Sequence, residues 1–173
     1  MMKLIRRLFV GLVAILAVVL VLLLALHRNG SIQADIVIDR PSQQVWKVLT
    51  TTADYPLWNP MISSLNGELR QGNVVDLTLG YGADSMTFHP RILMVRANRE
   101  LQWKGHVLIP GVFDGDHRFL LESLGSKTCL VQSEKFTGLL AGRLTEGILR
   151  STTEQMKLMN LALKKRAESL PEP

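Results

Sequence analysis

The sequence has only one cysteine among its 173 residues, and it lacks the short motifs of nucleotide-binding loops and nucleophilic hydrolases. A lone cysteine excludes both a disulfide within the chain and a metal cage built from several thiolates. Cys129 lies in a strand-like run, where we expect a small core residue rather than a nucleophile. Gly80-Tyr81-Gly82 precedes no helical pattern, and no Gly-x-Ser-x-Gly sequence occurs. The sequence therefore predicts no cofactor site and no catalytic triad.

The chain also lacks a basic cluster outside its N-terminal segment, although its net charge is +5. All fifteen acidic residues follow one long apolar run, whereas four of the twenty basic residues flank that run: Lys3, Arg6, Arg7 and Arg28. Residues 29–173 therefore hold sixteen basic and fifteen acidic side chains, a net charge of +1. Because these basic residues are dispersed, we predict no nucleic-acid partner.

The apolar run itself is the longest feature present: nineteen residues, Leu8 to Leu26, without a charged or polar side chain. As a helix it would be about 28 Å long, close to the ~30 Å hydrocarbon core of a bilayer. We predict a membrane anchor over residues 1–28, with the transmembrane segment at about 8–26. The alternative is a cleaved signal peptide, whose apolar region is usually only about 7–15 residues before a small-x-small cleavage site.

The distribution of basic residues predicts the orientation of this anchor. Lys3, Arg6 and Arg7 precede the apolar run, and only Arg28 follows it directly. Positive charge favours the cytoplasmic side. We therefore expect a single-pass membrane protein with a cytoplasmic N-terminus and an extracytoplasmic domain at residues 29–173.

The outer domain, residues 29–173, begins with a strand pattern followed by helical patterns. Apolar and polar residues alternate from Ile32 to Ile38, as in a half-buried strand. Pro41 opens a short helix over residues 42–50, where its missing N–H does no harm. About six further alternating segments, separated by turn dipeptides, indicate antiparallel strands, and Pro90 interrupts one of them at a bulge or edge.

The last segment of the chain changes to a helical period. Apolar positions recur every three or four residues and form one stripe, made of Leu140, Leu144, Ile148, Thr152, Met156, Met159 and Leu163. Gly138, Gly142 and Gly147 weaken the start, so either the first turns are irregular or another segment approaches this backbone closely. The element order predicts an α+β fold, an antiparallel sheet covered by one long C-terminal helix.

This order and four local stretches resemble the START/Bet v 1-like (SRPBCC, helix-grip) superfamily, particularly its polyketide cyclase/dehydrase-like branch. The stretches are Ile38-Asp-Arg-Pro-Ser-Gln-Gln-Val-Trp46, Tyr55-Pro-Leu-Trp-Asn-Pro60, Gly115-Asp-His-Arg-Phe119 and Glu134-Lys-Phe-Thr-Gly138. The resemblance implies a curved sheet of about seven strands wrapped around the long helix. It also implies a deep cavity between them for lipids, sterols, polyketides or other apolar ligands. It implies no catalytic set, because functional residues differ among branches.

Eight side chains are candidates to line such a cavity: Trp58, Phe88, Trp103, His117, Phe119, Met156, Met159 and Asn160. Trp58 is either a gate or a core plug, and the two methionines are either cavity lining or core. His117 would orient a ligand carbonyl or act as a general base, unless it is a structural residue bonded to backbone. Asn160 would be a polar anchor for a ligand.

A metal site is a weaker interpretation of the residues around His117. His106, Asp114 and Asp116 would supply oxygen and nitrogen ligands if they converged on it. Asp-Gly-Asp is also ordinary turn chemistry, and Asp116 should point away from His117 in a regular strand. We therefore predict no metal.

Three functions fit these observations. The first is a membrane-anchored protein that binds or transports a hydrophobic small molecule or lipid taken from the adjacent leaflet. The second is an enzyme of the cyclase/dehydratase type with His117 as acid/base, for which the sequence offers no second titratable partner. The third is an interaction module of a membrane complex with a collapsed cavity. The sequence carries no signal for an oligomeric state.

Overall fold

The computed structural model describes residues 2–25, 29–143 and 146–171. Helix α1, Met2–Ala25, contains the stretch Lys3–Val21, which is long and apolar enough to cross a membrane, as judged by length and composition. Its apolar side chains between Leu4 and Val21 are exposed. Leu26 and Arg28, at the end of the predicted anchor, lie outside the described residues.

Five antiparallel strands form the main sheet, in the order β1-β8-β7-β6-β5. They are β1 (Gly30–Ile38), β5 (Arg91–Arg96), β6 (Glu100–Val107), β7 (Phe113–Leu124) and β8 (Lys127–Thr137). The alternation predicted for the first strand is confirmed, since Ala34 and Ile38 are buried while Gln33 and Asp35 are exposed. One face of this sheet therefore supplies the core.

Three shorter strands form a second sheet in the order β2-β3-β4. They are β2 (Ile62–Asn66), β3 (Asp76–Leu79) and β4 (Met86–Phe88). Pro90 separates β4 from β5, as its missing N–H predicts. Three backbone bonds still link the chain before β3 to the start of β5: Gly72 N–H to Ile92 O at 2.9 Å, Val75 N–H to Pro90 O at 3.1 Å and Ile92 N–H to Asn73 O at 2.8 Å. The α+β helix-grip fold is confirmed; the described residues form eight strands in two linked sheets, where one sheet of about seven strands was expected.

The helices cover the concave side. They are α2 (Ser42–Thr50), α3 (Tyr55–Trp58) and α4 (Glu146–Glu168). α2 begins directly after Pro41, as predicted. The apolar stripe of α4 is buried at Met156, Met159 and Leu163, whereas Ile148 is 49% exposed. Leu144, another member of the stripe, lies outside the described residues.

The segment between β8 and α4 is irregular and also closely approached. Gly138 has a φ of +112°, and a Cβ there would lie 2.7 Å from the carbonyl oxygen of Val112. A short 3-10 turn follows at Ala141–Arg143. The glycines near the start of the helix predicted either irregular first turns or the close approach of another segment, and both occur. The close contact brings the end of β8 against the loop between β6 and β7.

Cys129 is not a core residue, contrary to expectation. It lies on the outer face of β8 opposite Val37, which is 45% exposed. Leu130 and Gln132 occupy the inward positions of that strand, so the strand period places Cys129 outside. Partial burial raises the pKa of the Cys129 thiol, so that a smaller fraction of it is present as the nucleophilic thiolate.

Candidate ligand-binding cavity

A cavity of about 170 Å³ lies between the β3–β4 hairpin and the facing ends of β6 and β7. One histidine is the only titratable residue in an otherwise apolar lining, made of Leu77, Leu79, Phe88, Pro90, Trp103, Gly105, His106, Val107, Phe113 and Gly115. Apolar walls with few polar groups are typical of small-molecule sites. This cavity is therefore the candidate site of the domain.

Two glycines create the space. Gly105 and Gly115 are register partners on β6 and β7, in the row of residues next to the buried pair Trp103 and His117. Neither glycine carries a side chain, so the inward face of the sheet is open at this row. A Cβ on Gly105 would lie 3.6 Å from Pro90 Cβ, an ordinary van der Waals contact. Nothing in the backbone geometry of Gly105 therefore requires a glycine; the cavity does.

A cluster of aromatic rings forms the inner end of the cavity. His117 is stacked on Trp103 with ring centroids 5.2 Å apart and an interplanar angle of 9°. Phe119 packs against both rings, with centroid distances of 4.8 Å to His117 and 5.3 Å to Trp103. Only 8% of His117 is exposed. Trp103 lines the cavity, and His117 lies directly behind it.

Both ring nitrogens of His117 have polar partners. The side-chain amide nitrogen of Gln132 lies 2.9 Å from His117 Nε2, and Glu134 Oε2 lies 3.3 Å from His117 Nδ1. Since an amide nitrogen can only donate, Nε2 is the acceptor in this network. The proton is thereby assigned to Nδ1, which donates to the carboxylate. Glu134, His117 and Gln132 form one connected polar chain, called the polar triad below.

The strand register explains why these groups meet. Trp103 is opposite His117 across β6 and β7, and His117 is opposite Glu134 across β7 and β8. Gln132 is opposite Phe119, one row further along the same face. Side chains directly opposite each other have Cβ atoms about 4.5–5.5 Å apart, close enough for ring stacking and hydrogen bonds.

The glycine at position 115 also sets the position of Glu134. A Cβ on Gly115 would lie 2.7 Å from Glu134 Oε1, a distance that real contacts do not reach. The carboxyl group therefore occupies the space that a side chain at position 115 would need. Because Gly115 lines the cavity, Glu134 places a carboxylate next to the cavity wall.

Two deeper acceptor oxygens have no hydrogen-bond partner among the described residues: Gln132 Oε1 and Asn160 Oδ1. Both residues are buried, and their amide nitrogens already donate hydrogen bonds. The Gln132 nitrogen donates to Met159 Sδ at 3.5 Å, and the Asn160 nitrogen donates to Ala34 O at 3.1 Å. Ala34 is itself opposite Gln132 across β1 and β8. An unpaired buried polar group costs about 1–3 kcal/mol. These oxygens are positions where a donor group would be stabilised.

The acidic residues considered for a metal lie elsewhere. Asp116 is on the outer face of β7, where it accepts a 2.7 Å bond from the Gln102 amide nitrogen. Asp114 accepts the Gly111 N–H at 2.9 Å and pairs with Lys104 Nζ at 3.0 Å. His117 points to the inner face, so these groups do not converge. Within residues 2–25, 29–143 and 146–171, no three His, Cys, Asp or Glu side chains form a possible metal cluster.

Asp114 fastens the loop at the cavity mouth. Burial raises the pKa of the Asp114 carboxyl, but the Gly111 N–H and the Lys104 ammonium outweigh this effect, and the net pKa is lowered. The ionised form therefore holds the loop that precedes β7. The loop is directly connected to the cavity wall, because Val107 and Phe113, the residues on either side of the loop, line the cavity.

The eight candidates from the sequence take four positions. Phe88 and Trp103 line the cavity, and His117 and Phe119 lie directly behind Trp103. The α4 residues Met156, Met159 and Asn160 are buried under the helix, on the far side of the polar triad. Trp58 packs edge-on against Tyr55 at 5.1 Å, with its ring nitrogen buried and unpaired among the described atoms.

The sequence analysis did not assign Gly105, Gly115, Gln132 or Glu134 to the site, nor the other lining residues Leu77, Leu79, Pro90, His106, Val107 and Phe113. Gln132 and Glu134 carried a signal, because they occupy inward positions of β8 between two apolar residues. Leu130 and Phe136 flank them at the same period. A polar residue at such a position marks a buried interaction or a ligand contact.

Comparison with known protein families gives a match over most of the chain. Residues 29–168 match the family model described as polyketide cyclase/dehydrase and lipid transport. No curated protein sequence is significantly similar to the chain.

Solved structures confirm the fold at low sequence identity. The Zhui aromatase/cyclase from Streptomyces sp. R1128 has a TM-score of 0.63 and 22% identity, covering 82% of this chain and 94% of that one. A START superfamily protein from Mycobacterium smegmatis gives 0.65 and 17%, covering 82% and 99%. Norcoclaurine synthase from Thalictrum flavum, in complex with dopamine and hydroxybenzaldehyde, gives 0.64 and 11%, covering 86% and 92%. At these identities the likeness concerns the fold alone.

Proposed function

The chain belongs to the polyketide cyclase/dehydrase and lipid transport family, and from this premise we propose that it binds a hydrophobic small molecule or lipid while anchored in a membrane by its N-terminal helix. The observation that carries the proposal is the apolar cavity opened by the Gly105–Gly115 pair beside the polar triad. An apolar cavity in an otherwise closely packed domain is suited to ligand binding rather than to stability.

The size of the cavity limits what it holds. Ligand sites commonly measure roughly 300–1,000 Å³, and an engineered apolar cavity of about 150 Å³ holds one benzene ring. The 170 Å³ found here therefore accommodates one ring or a short acyl segment. The rest of a larger ligand would extend through the mouth, between β4 and the loop after β6.

The polar groups suggest the chemistry of the inner end of the ligand. Glu134 brings a carboxylate to the cavity wall beside Gly115. A carboxylate accepts hydrogen bonds and so favours a donor. We propose an apolar ligand with a hydroxyl or amino group at its inner end, where it would donate to this carboxylate.

The anchor determines where such a ligand would be found. Lys3, Arg6 and Arg7 favour a cytoplasmic N-terminus, so the domain and its cavity would lie on the opposite side of the membrane. A lipid or a lipid-like metabolite of that leaflet is then the nearest source. We propose uptake from this leaflet.

Ligand extraction tests the proposal. The full chain is purified from membranes in mild detergent, extracted with organic solvent and analysed by mass spectrometry beside an eluate from cells lacking the protein. We expect one or a few apolar compounds with a hydroxyl or amino group, at close to one molecule per chain. Repeated absence of any enriched compound, with no binding of apolar fluorescent probes, would disprove it.

A second function, an enzyme of the cyclase/dehydratase type, is favoured by one specific observation. Glu134 is the second titratable group that the sequence did not provide, and it lies 3.3 Å from His117 Nδ1. A carboxylate in this position fixes the tautomer of an acid/base histidine. Incubating the extracted compound with wild type and with His117→Ala tests this function. Conversion only by the wild type would support catalysis, and recovery of the unchanged compound from both would leave the protein as a binder.

A further inference from the structure

The cavity mouth carries an exposed apolar rim. The loop between β6 and β7, residues 108–112 and called the mouth loop below, has Leu108 80% exposed and Ile109 63% exposed. Met86 on β4 is 59% exposed, and its register partner Leu79 lines the cavity. Exposed apolar side chains gathered around one opening mark an interaction surface more often than scattered ones do.

The mouth loop is fixed in its conformation rather than loosely disordered. Ile109-Pro110-Gly111-Val112 forms a turn closed by a 3.2 Å bond from Val112 N–H to Ile109 O, with Gly111 at a φ of +85°. Leu139 N–H donates to Gly111 O at 3.0 Å, and Asp114 accepts the Gly111 N–H. Leu108 itself has a φ of +69°, which is unfavourable for a branched side chain. Strain of this kind is maintained at functional sites more often than elsewhere.

The sheet register places this rim at the end of the domain where the anchor joins. Gly30, the first residue of β1, is opposite Phe136, and the same row continues through Gly115 to Gly105. Val107, the last residue of β6, lies two residues beyond Gly105 in the direction that leads past Gly30. The mouth loop therefore projects beyond the row in which the chain enters the domain.

The connection to the anchor is short. Four residues, 26–29, separate Ala25 at the end of α1 from Gly30 in β1. Even fully extended, five residue steps span at most about 18 Å. The opposite end of β1, at Ile38, lies about 26 Å from Gly30, since each of the eight steps along the strand advances about 3.3 Å. When α1 is inserted in a membrane, the short connection therefore keeps the mouth end of the sheet within about 18 Å of the end of α1.

We infer that the mouth loop, together with Met86, docks into the headgroup region of the leaflet that holds the end of α1, so that the cavity opens directly into lipid. The inference rests on the proposed anchor and cavity. Apolar side chains on a rigid tip bind such an interface by burying their surface at the acyl boundary. A ligand then passes between leaflet and cavity without crossing water.

Depth-dependent fluorescence quenching tests this docking. The full chain with Cys129→Ser is reconstituted in nanodiscs, and Leu108→Cys is labelled with an environment-sensitive fluorophore. The matched control is Leu124→Cys, because Leu124 is 54% exposed and lies at the opposite end of the same sheet. We expect the label at 108 to be blue-shifted and strongly quenched by nitroxides placed near the headgroups, and the label at 124 to be unaffected.

Two further measurements separate this inference from the proposed function. Flotation with vesicles reports the anchor, and apolar-probe binding in detergent reports the cavity. If the protein floats and binds the probe, but the labels at positions 108 and 124 are both hardly quenched by lipid nitroxides, the docking alone is overturned. The same result is expected if a protein partner covers the mouth loop instead. Failure to float would overturn the anchor and the docking together.

A second test uses no label. The double variant Leu108→Ser, Ile109→Ser should take up a bilayer-dissolved probe several-fold more slowly, while its affinity for the probe in detergent stays unchanged. An unchanged rate of uptake would count against docking.

Discussion

The imidazole of His117 lies nearly parallel to the indole of Trp103, with ring centroids 5.2 Å apart, and the same indole lines the cavity. The two residues are directly opposite each other on β6 and β7. A polar, hydrogen-bonded ring thus supports the aromatic wall of an apolar cavity. The predictions below test the parts of this arrangement one at a time.

Replacing His117 tests the support of the wall. His117→Ala removes the stacked ring and leaves Glu134 and Gln132 without their shared partner, so we expect a destabilisation of about 2–3 kcal/mol in the free energy of unfolding. His117→Phe keeps a ring against Trp103 but not the hydrogen bonds, and it should recover part of this loss. Denaturant unfolding of the three proteins measures the difference. Equal stability of wild type and His117→Ala would contradict the packing described here.

Glycine at position 115 is required by Glu134. Gly115→Ala places a methyl group where Glu134 Oε1 now lies, only 2.7 Å from the new Cβ. Because the carboxyl is the end of a flexible side chain, we expect it to move and its bond to His117 Nδ1 to break, with little unfolding. Nitrogen NMR shifts of the imidazole report this bond. Gly105→Ala is the matched control, with an ordinary 3.6 Å contact, and should leave the shifts unchanged. Unchanged shifts in Gly115→Ala as well would refute the prediction.

The mouth loop should loosen in acid. The pKa of Asp114 is lowered in the folded protein, since the Gly111 N–H and Lys104 outweigh the effect of burial. A lowered folded pKa contributes stability that is fully present above the ordinary value of 3.8 and is lost as the pH falls through the lowered value. We therefore expect hydrogen exchange at the Gly111 amide to lose protection below about pH 4.

The variant Asp114→Asn supplies the control for the acid experiment. Its neutral amide cannot pair with the Lys104 ammonium as a charge, so the Gly111 amide should be less protected at neutral pH and should show no further acid transition. Equal protection in wild type and variant across the whole pH range would show that this carboxylate does not hold the loop.

Much of the fold could be predicted from local sequence patterns, because the periodicity of apolar residues and the positions of prolines determine where strands and helices form. The alternation from Ile32 to Ile38 gave β1, and Pro41 and Pro90 marked a helix start and a strand break through their missing N–H groups. The inward direction of Cys129 was predicted incorrectly. A strand period of two shows which residues share a face, but not which face is buried, unless polar residues are weighed as well.

The polar triad depended on register, which a pattern of single strands does not contain. The two-residue turn Gly125-Ser126 sets Leu124 opposite Lys127, and counting seven residues back along each strand puts His117 opposite Glu134. The pairing of His117 with Glu134 could therefore have been predicted from the length of the turn. The pairing of Gly105 with Gly115 could not be predicted, since it depends on a five-residue loop whose geometry the sequence does not determine.

Filling the cavity at Gly105 tests the central claim most directly. Gly105→Leu adds an apolar side chain at a position whose backbone accepts one, so it should occupy the space beside Trp103 without unfolding the protein. Ser31→Leu is the control, since it adds the same side chain to an exposed position on the outer face of β1. We measure saturable binding of an apolar fluorescent probe to the full chain in detergent. The cavity account predicts that binding is lost in Gly105→Leu and kept in Ser31→Leu; undiminished binding by Gly105→Leu would contradict it.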